Sequence, residues 1–288
     1  MSLATAGTAA SSAKETDMSA AASKGVALIT GASTGIGAVY GDRLARRGYD
    51  LILVARNRPR LDSLARRLAT ETGRSIEVQV ADLDAAADLA RIEQTLRADP
   101  RITLLVNNAG VAATTPLLQS DADRMDAMIR LNVGALTRLT YAAAPGFVAR
   151  GGGTIINIAS IVAVAPETLN GVYGATKAFV LAFSQSLHHE LAAKGVRVQA
   201  VLPGATATEL WERAGKPVSQ LPREIVMTAE DMVDASLAGL DRGELVTLPA
   251  LHESADWDRF EAARRAMFGK LSNAIPAPRY GHRRTAAA

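Results

Sequence analysis

The chain has 288 residues, 48% of them hydrophobic, which is enough for one large α/β domain or two small ones with a sizeable core. Its 32 basic and 29 acidic residues leave a net charge of +3, and the arginines are dispersed rather than interleaved with aromatics, which argues against a nucleic-acid partner. There is no cysteine, which excludes disulfide and thiolate chemistry and fits a reducing, cytoplasmic setting, and no apolar stretch reaches the roughly 18 residues of a membrane span.

Residues 1–23 are mostly Ala, Ser, Thr and Gly and read as a disordered tail. They lack the basic start and apolar run of a secretory signal. A transit peptide is disfavoured because arginine is missing and Glu15 and Asp17 are present. Met18 offers an alternative start.

The first apolar run, Val26–Thr30, reads as a buried strand. It enters the turn Thr30-Gly-Ala-Ser-Thr-Gly35-Ile-Gly37, and a helix from Ile36 to Arg47 follows, closed by Gly48. A glycine-rich turn in that place lets the backbone approach a pyrophosphate, which the helix N-terminus attracts. Gly31, Ser33, Thr34, Gly35, Ile36 and Gly37 are therefore candidate dinucleotide-binding residues. The spacing is G-x-x-x-G-x-G rather than the common G-x-G-x-x-G, and a tight connection alone would also use glycines.

The second strand, Leu51–Ala55, ends on Arg56-Asn57-Arg58. A site for NAD usually has an acid there to take the ribose 2′-OH, whereas a base suits a 2′-phosphate. NADP is the expected cofactor, with NAD possible; otherwise Arg56 is a solvated loop charge. Leu61, Leu64 and Leu68 mark one face of the next helix. A third strand, Ile76–Val80, leads to Asp82 and Leu83. A fourth, Leu104–Asn107, leads to Asn108-Ala109-Gly110.

Asp121–Val148 reads as a long helix that Pro145 kinks or ends, with Asn132 in its unfavourable interior. A fifth strand, Thr154–Ala159, ends at Ser160. The next helix, Val172–Lys194, stops at Gly195 and carries Tyr173 and Lys177, which share a face. A lysine charge there should lower the phenol pKa from about 10 and make the tyrosine an acid or base near neutrality. Many helices carry such a pair by chance, so its context matters. Ser160, just upstream, can hold a substrate oxygen.

A sixth strand, Val196–Leu202, leads to Pro203-Gly204; Leu245–Leu248 reads as a seventh strand and Trp257–Phe268 as a last helix. Residues 276–288 form a second loose tail, with Pro276, Pro278 and Gly281 as breakers. The alternation predicts one doubly wound, Rossmann-type α/β domain over 24–275. It has a mostly parallel seven-stranded sheet, helices on both faces and a substrate lid at about 205–228.

Taken in order, Thr30–Gly37, Asp82, Asn107–Gly110, Asn132, Ser160, Tyr173, Lys177 and Pro203-Gly204 resemble the short-chain dehydrogenase/reductase family. The match spans Lys24 to Thr208 and is closest in kind to an NADP-preferring ketoreductase. The resemblance implies hydride transfer between NADP(H) and a carbonyl or secondary alcohol, in the reducing direction. Tyr173 would be the proton donor, Ser160 the oxygen anchor, and Lys177 the partner of the tyrosine and of the nicotinamide ribose. Asn132 would hold a relay water, Asp82 and Leu83 would meet the adenine, and Asn108, Ala109 and Gly110 would lie near the adenosine ribose and stabilise the sheet. Asp82 has a plainer reading as a helix cap. Pro203, Gly204 and Thr208 would orient the carboxamide, with Thr206 as a substitute for Thr208.

One position departs from the pattern: many NADP-preferring members carry a base where this chain has Thr34, so the preference leans on Arg56, with Arg58 as help. An NAD-linked alcohol dehydrogenase and a catalytically silent nucleotide-binding regulator are the alternatives. Substrate contacts are expected from Ile161–Gly171 and Glu209–Met227, around a mostly apolar pocket for a lipid-like or ketoacyl-type carbonyl. His188 and His189 read as structural or surface residues, and no metal-ligand cluster stands out. The resemblance also implies a homodimer or homotetramer through the two long helices.

Overall fold

The structure, a computed structural model, describes residues 23–281. The expected N-terminal tail, apart from Ser23, and residues 282–288 lie outside them.

Seven parallel strands form one sheet: β1 Val26–Thr30, β2 Asp50–Ala55, β3 Ile76–Val80, β4 Ile102–Asn107, β5 Gly153–Ile158, β6 Val196–Val201 and β7 Val246–Thr247. Their order is β3-β2-β1-β4-β5-β6-β7. Strands β1, β2, β4, β5 and β6 are almost wholly buried and rich in Val, Ile, Leu and Ala, as a sheet covered on both faces requires. The sheet is parallel throughout rather than mostly so.

One apolar layer packs α3 (Ala86–Ala98), α5 (Leu136–Ala149) and α6 (Gly171–Leu191) against the sheet through Ile92, Leu139, Phe147 and Leu187. The other packs α1 (Gly35–Arg46), α2 (Arg58–Thr72) and α8 (Ala229–Asp241) through Tyr40, Leu44, Leu61, Leu68 and Met232. A carboxylate network braces the second layer. Asp42 on α1 meets Arg43, Arg46 and Arg67, and Arg43 also reaches Asp234 on α8.

The long helix expected over 121–148 is three pieces: α4 (Ala122–Ile129), a π-turn (Arg130–Ala135) and α5. Pro145 lies inside α5 without ending it. The region after β6 carries a short helix, α7 (Leu210–Arg213), and two 3-10 turns before α8. The last helix, α9 (Ser254–Ala266), begins ahead of Trp257, which packs against the cluster formed by Val180 and Leu181 of α6 with Ala200 and Leu202 at the end of β6.

The strand order reverses between β1 and β4. Connections leave these two strands in opposite directions there, so a crevice opens at the carboxyl edge of the sheet. Gly31, Arg56, Asp82, Asn108, Ser160 and Pro203 each follow a strand at that edge.

Candidate active site

The glycine turn is tightly folded. Gly31 and Gly35 have positive φ values of 66° and 52°. A Cβ on Gly37 would fall 2.3 Å from the Gly31 carbonyl oxygen, and one on Gly35 would fall 2.9 Å from Thr208 Cγ2. Thr34 stands at the N-cap of α1 with no side-chain capping bond, whereas α2, α4, α6 and α8 are capped by Asn57, Asp121, Asn170 and Thr228. A helix whose first N–H groups are left to another acceptor, beside glycines that keep the backbone bare, fits a pyrophosphate. Ser33 and Thr34 line the adjoining groove with Arg60 and Glu209, while Ile36 packs into the core.

Two residues away from the turn stand at the carboxyl ends of β2 and β3, where the adenosine end of a dinucleotide would lie. The Arg56 side chain is 67% exposed, and its guanidinium lies 3.7 Å from the Asp82 carboxylate. Asp82 does not cap a helix: Ala85 holds the N-cap of α3, and Asp82 Oδ1 instead accepts from the Asp84 N–H. Leu83 is in the core, so its backbone is the only part it can offer to a ligand. Asn108 is spent on the fold. Its side-chain amide donates to the carbonyls of Thr30 and Gly31, and its N–H and that of Ala109 both meet Thr30 Oγ1.

The chemistry-bearing residues meet at the ends of β5 and α6. Tyr173, 6% exposed, sits in an apolar cluster with Ala113, Met128 and Val162. Burial there pushes its phenol up to about 12, while a hydrogen bond with Ser160 pulls the other way. This corrects the expectation of a lowered tyrosine. Desolvation prevails, and the ammonium, although behind the ring, is bonded to a main-chain carbonyl rather than to the phenol. Lys177 donates from Nζ to the Ile158 carbonyl at 2.8 Å, and burial lowers its own pKa to about 8. One acceptor among the described residues thus meets an ammonium that carries three N–H donors, which leaves it fitted to a ribose.

Ser160 follows β5, with its hydroxyl 3.4 Å from the Pro203 carbonyl. Asn132 lies in the π-turn. Its Oδ1 accepts from Val111 N–H, and its Nδ2 donates to the Val111 carbonyl and to Thr176 Oγ1. Both amide donors are occupied, so a held water would have to meet Oδ1 or the main-chain carbonyl that π-winding displaces from its usual partner. A Cβ on Gly110 would lie 3.0 Å from Asn132 Oδ1 and 3.8 Å from Lys177 Nζ, which puts that loop beside the pair.

Beyond Gly204, the Thr206 hydroxyl donates to the Gly204 carbonyl inside the turn, and Thr208 sits on Gly35. Glu209 receives Arg60 at 2.9 Å and Arg213 at 2.6 Å, so the segment that runs into α7 is tied to α2. Ile158 and Thr176 were not among the residues expected in the site, while Asn170 and Glu209 fell only within the segments expected to meet substrate. Asn170 alone carried a signal, as a helix-capping residue three positions ahead of Tyr173. His188 and His189 lie about four turns along α6 from Tyr173 and take no part in the site. Among the described residues no group of His, Asp and Glu is arranged to hold a metal ion, and no helix is long and apolar enough to cross a membrane.

The profile of the short chain dehydrogenase family matches residues 25–218. A short-chain dehydrogenase from Sphingobium yanoikuyae, solved in complex with NADPH, is 52% identical with a TM-score of 0.87, covering 89% of this chain and 99% of that one. The bulky-bulky ketone specific alcohol dehydrogenase from Comamonas testosteroni is 46% identical with a TM-score of 0.82, covering 89% of this chain and 98% of that one. Among curated proteins, the very-long-chain 3-oxoacyl-CoA reductase of Anas platyrhynchos is 36% identical over 68% of this chain, and the match spans 64% of that relative's length.

Proposed function

The chain belongs to the short chain dehydrogenase family, and from that premise we propose that its site reduces bulky, largely apolar ketones. It is an oxidoreductase of the carbonyl/alcohol couple, and NADP(H) is its cofactor. The observation that carries the proposal is the placement of Tyr173, hydrogen-bonded to Ser160 and walled by apolar side chains, one helical turn from the buried Lys177.

NADPH, when bound, supplies the hydride. The protein does the rest. Ser160 Oγ and Tyr173 Oη converge on the substrate oxygen, and the phenol, fully protonated at neutral pH, gives up its proton there. Lys177 stands behind the tyrosine, and its positive charge offsets the phenolate that remains. The backbone of the glycine turn and the α1 N-terminus hold the pyrophosphate, and Arg56 takes the 2′-phosphate, with Arg58 as help. Asp82, Leu83 and the Asn108–Gly110 loop flank the adenosine, and Pro203, Gly204, Thr206 and Thr208 the nicotinamide. Asn132 holds the relay water through Oδ1 or its carbonyl.

The substrate class rests on the walls. Ala113, Met128 and Val162 surround the tyrosine. The two segments expected at the mouth show exposed Val164 and Ile225, and the loop after β4, which was not among them, shows exposed Leu117 and Leu118. Relatives named for bulky ketones and for very-long-chain 3-oxoacyl-CoA support the same class. The catalytic unit is one domain over 24–275, with a lid at about 205–228.

A homodimer or homotetramer through α5 and α6 completes the proposal. Tyr141 on α5, 68% exposed, stacks on Phe183 of α6 at 6.4 Å, and Phe183 stacks on Phe179 at 5.5 Å, an aromatic face suited to a second copy. The lack of cysteine fits a reducing, cytoplasmic setting. The test is a screen of ketones, aldehydes and ketoacyl thioesters for substrate-dependent NADPH oxidation. Ketones with apolar groups on both sides should lead; turnover confined to small polar aldehydes would overturn the substrate class.

A further inference from the structure

Asn170 is 4% exposed and stands three residues ahead of Tyr173. Its Oδ1 caps α6, accepting from the N–H of Val172 at 2.9 Å and of Tyr173 itself at 3.3 Å. Capping needs only this oxygen, and Ser, Thr or Asp would provide it. The amide nitrogen has a separate task. Nδ2 donates to the Thr115 carbonyl at 2.6 Å and to Ser120 Oγ at 3.1 Å, and the Asn170 N–H reaches the Ala113 carbonyl at 3.4 Å. A carboxylate or a hydroxyl could not make both side-chain donations, so only an amide serves helix and loop together.

The loop that Asn170 holds is itself tied at two further points. Val111 is clamped on both sides of its peptide by Asn132. Thr114, between Ala113 and Thr115, donates from Oγ1 to the Ala214 carbonyl at 2.7 Å, at the close of α7. The lid therefore connects through Thr114, the 111–120 loop and one buried amide to the first turn of the helix that carries Tyr173. Buried polar groups of this kind hold discrete arrangements, because a half-broken set leaves unsatisfied donors.

We propose that Asn170 is a positioning residue that couples the lid to the orientation of Tyr173, so that the tyrosine is aligned when α7 is seated. The inference rests on Tyr173 being the proton donor. Substrate that packs under α7 would set the phenol through this chain of bonds, and an open lid would leave it misaligned.

Asn170→Ser keeps the capping oxygen and removes the two side-chain donations; Thr114→Val cuts the link to Ala214. Each variant should lose no more than a few degrees of melting temperature and keep an unchanged KM for NADPH, while kcat for ketone reduction at a temperature well below the melt falls about tenfold, as expected of a small misplacement of a reacting group. The double variant should lose no more than the worse single one. In Asn170→Ser, backbone hydrogen exchange at 210–215 should speed up while the first turn of α6 stays protected. Wild-type kcat in either variant, losses that multiply, or a fall in kcat that tracks a fall in melting temperature would overturn the proposal. If the wild-type protein itself reduces no carbonyl, the functional reading fails. The exchange measurement then decides the coupling, faster exchange at 210–215 supporting it and unchanged exchange overturning it.

Discussion

Lys177 donates its hydrogen bond to the Ile158 carbonyl at 2.8 Å, while its Nζ stands 5.8 Å from the centre of the Tyr173 ring. The pair is thus held by the sheet as well as by the helix, since Ile158 closes β5. The ammonium is kept behind the ring by a main-chain oxygen, and burial destabilises the charged form of each partner.

Lys177→Met should make the protein more stable and inactive. The lysine titrates at 10.5 in the unfolded chain and at about 8 when folded, so between these values the unfolded chain holds more protons. Stability from this group rises with pH across that window, and below it the buried ammonium is a penalty on the order of 3 kcal/mol. Thermal melts should show Lys177→Met above wild type at neutral pH, with the gap closing toward pH 10.5. A variant that melts below wild type at neutral pH would contradict this.

Asp42→Asn should act the other way. Burial raises this carboxyl, but hydrogen bonds from Arg46, Arg43 and Arg67 prevail and hold it at about 2. Its contribution is present above the ordinary value of 3.8 and is lost as pH falls through the folded value. The substitution should cost roughly 2 kcal/mol at neutral pH, with the difference fading in acid. Paired denaturant titrations at neutral and acid pH measure it; equal stability at neutral pH would sink the idea.

Much of the fold was legible because its signals are local. Strands buried on both faces show as short Val/Ile/Leu runs, and the turn between β1 and α1 is marked by glycines that the backbone itself requires. Asp121–Val148 misled because a π-turn keeps helical spacing on both sides while shifting the ladder between them. Helix α8 went unread, although Thr228 and the spacing of Met232, Val233, Leu237 and Leu240 carry the ordinary pattern of a capped, half-buried helix. In the site, residue types pointed to Ser160, Tyr173 and Lys177. The direction of the tyrosine shift did not follow from spacing, because it depends on how much water the apolar cluster excludes. The roles of Ile158 and Asn170 were hidden for a related reason, since they act through a carbonyl and a long-range amide.

Arg56→Ala should separate the two cofactors. A charge-assisted bond to a 2′-phosphate contributes about 1.5–3 kcal/mol, so the apparent KM for NADPH should rise roughly tenfold to a hundredfold. That for NADH should change little, because Arg56 is exposed and its partner Asp82 lies 3.7 Å away. Steady-state kinetics with both nucleotides give the comparison; equal changes would remove Arg56 from phosphate recognition.

The most direct test is substrate-dependent NADPH oxidation by wild type and Tyr173→Phe, with NADPH affinity measured on the same samples by fluorescence titration. The account predicts turnover in the wild type, a loss of roughly a hundredfold to ten-thousandfold in the variant, and near-equal NADPH affinity. A Tyr173→Phe protein that still reduces the ketone at the wild-type rate would contradict it.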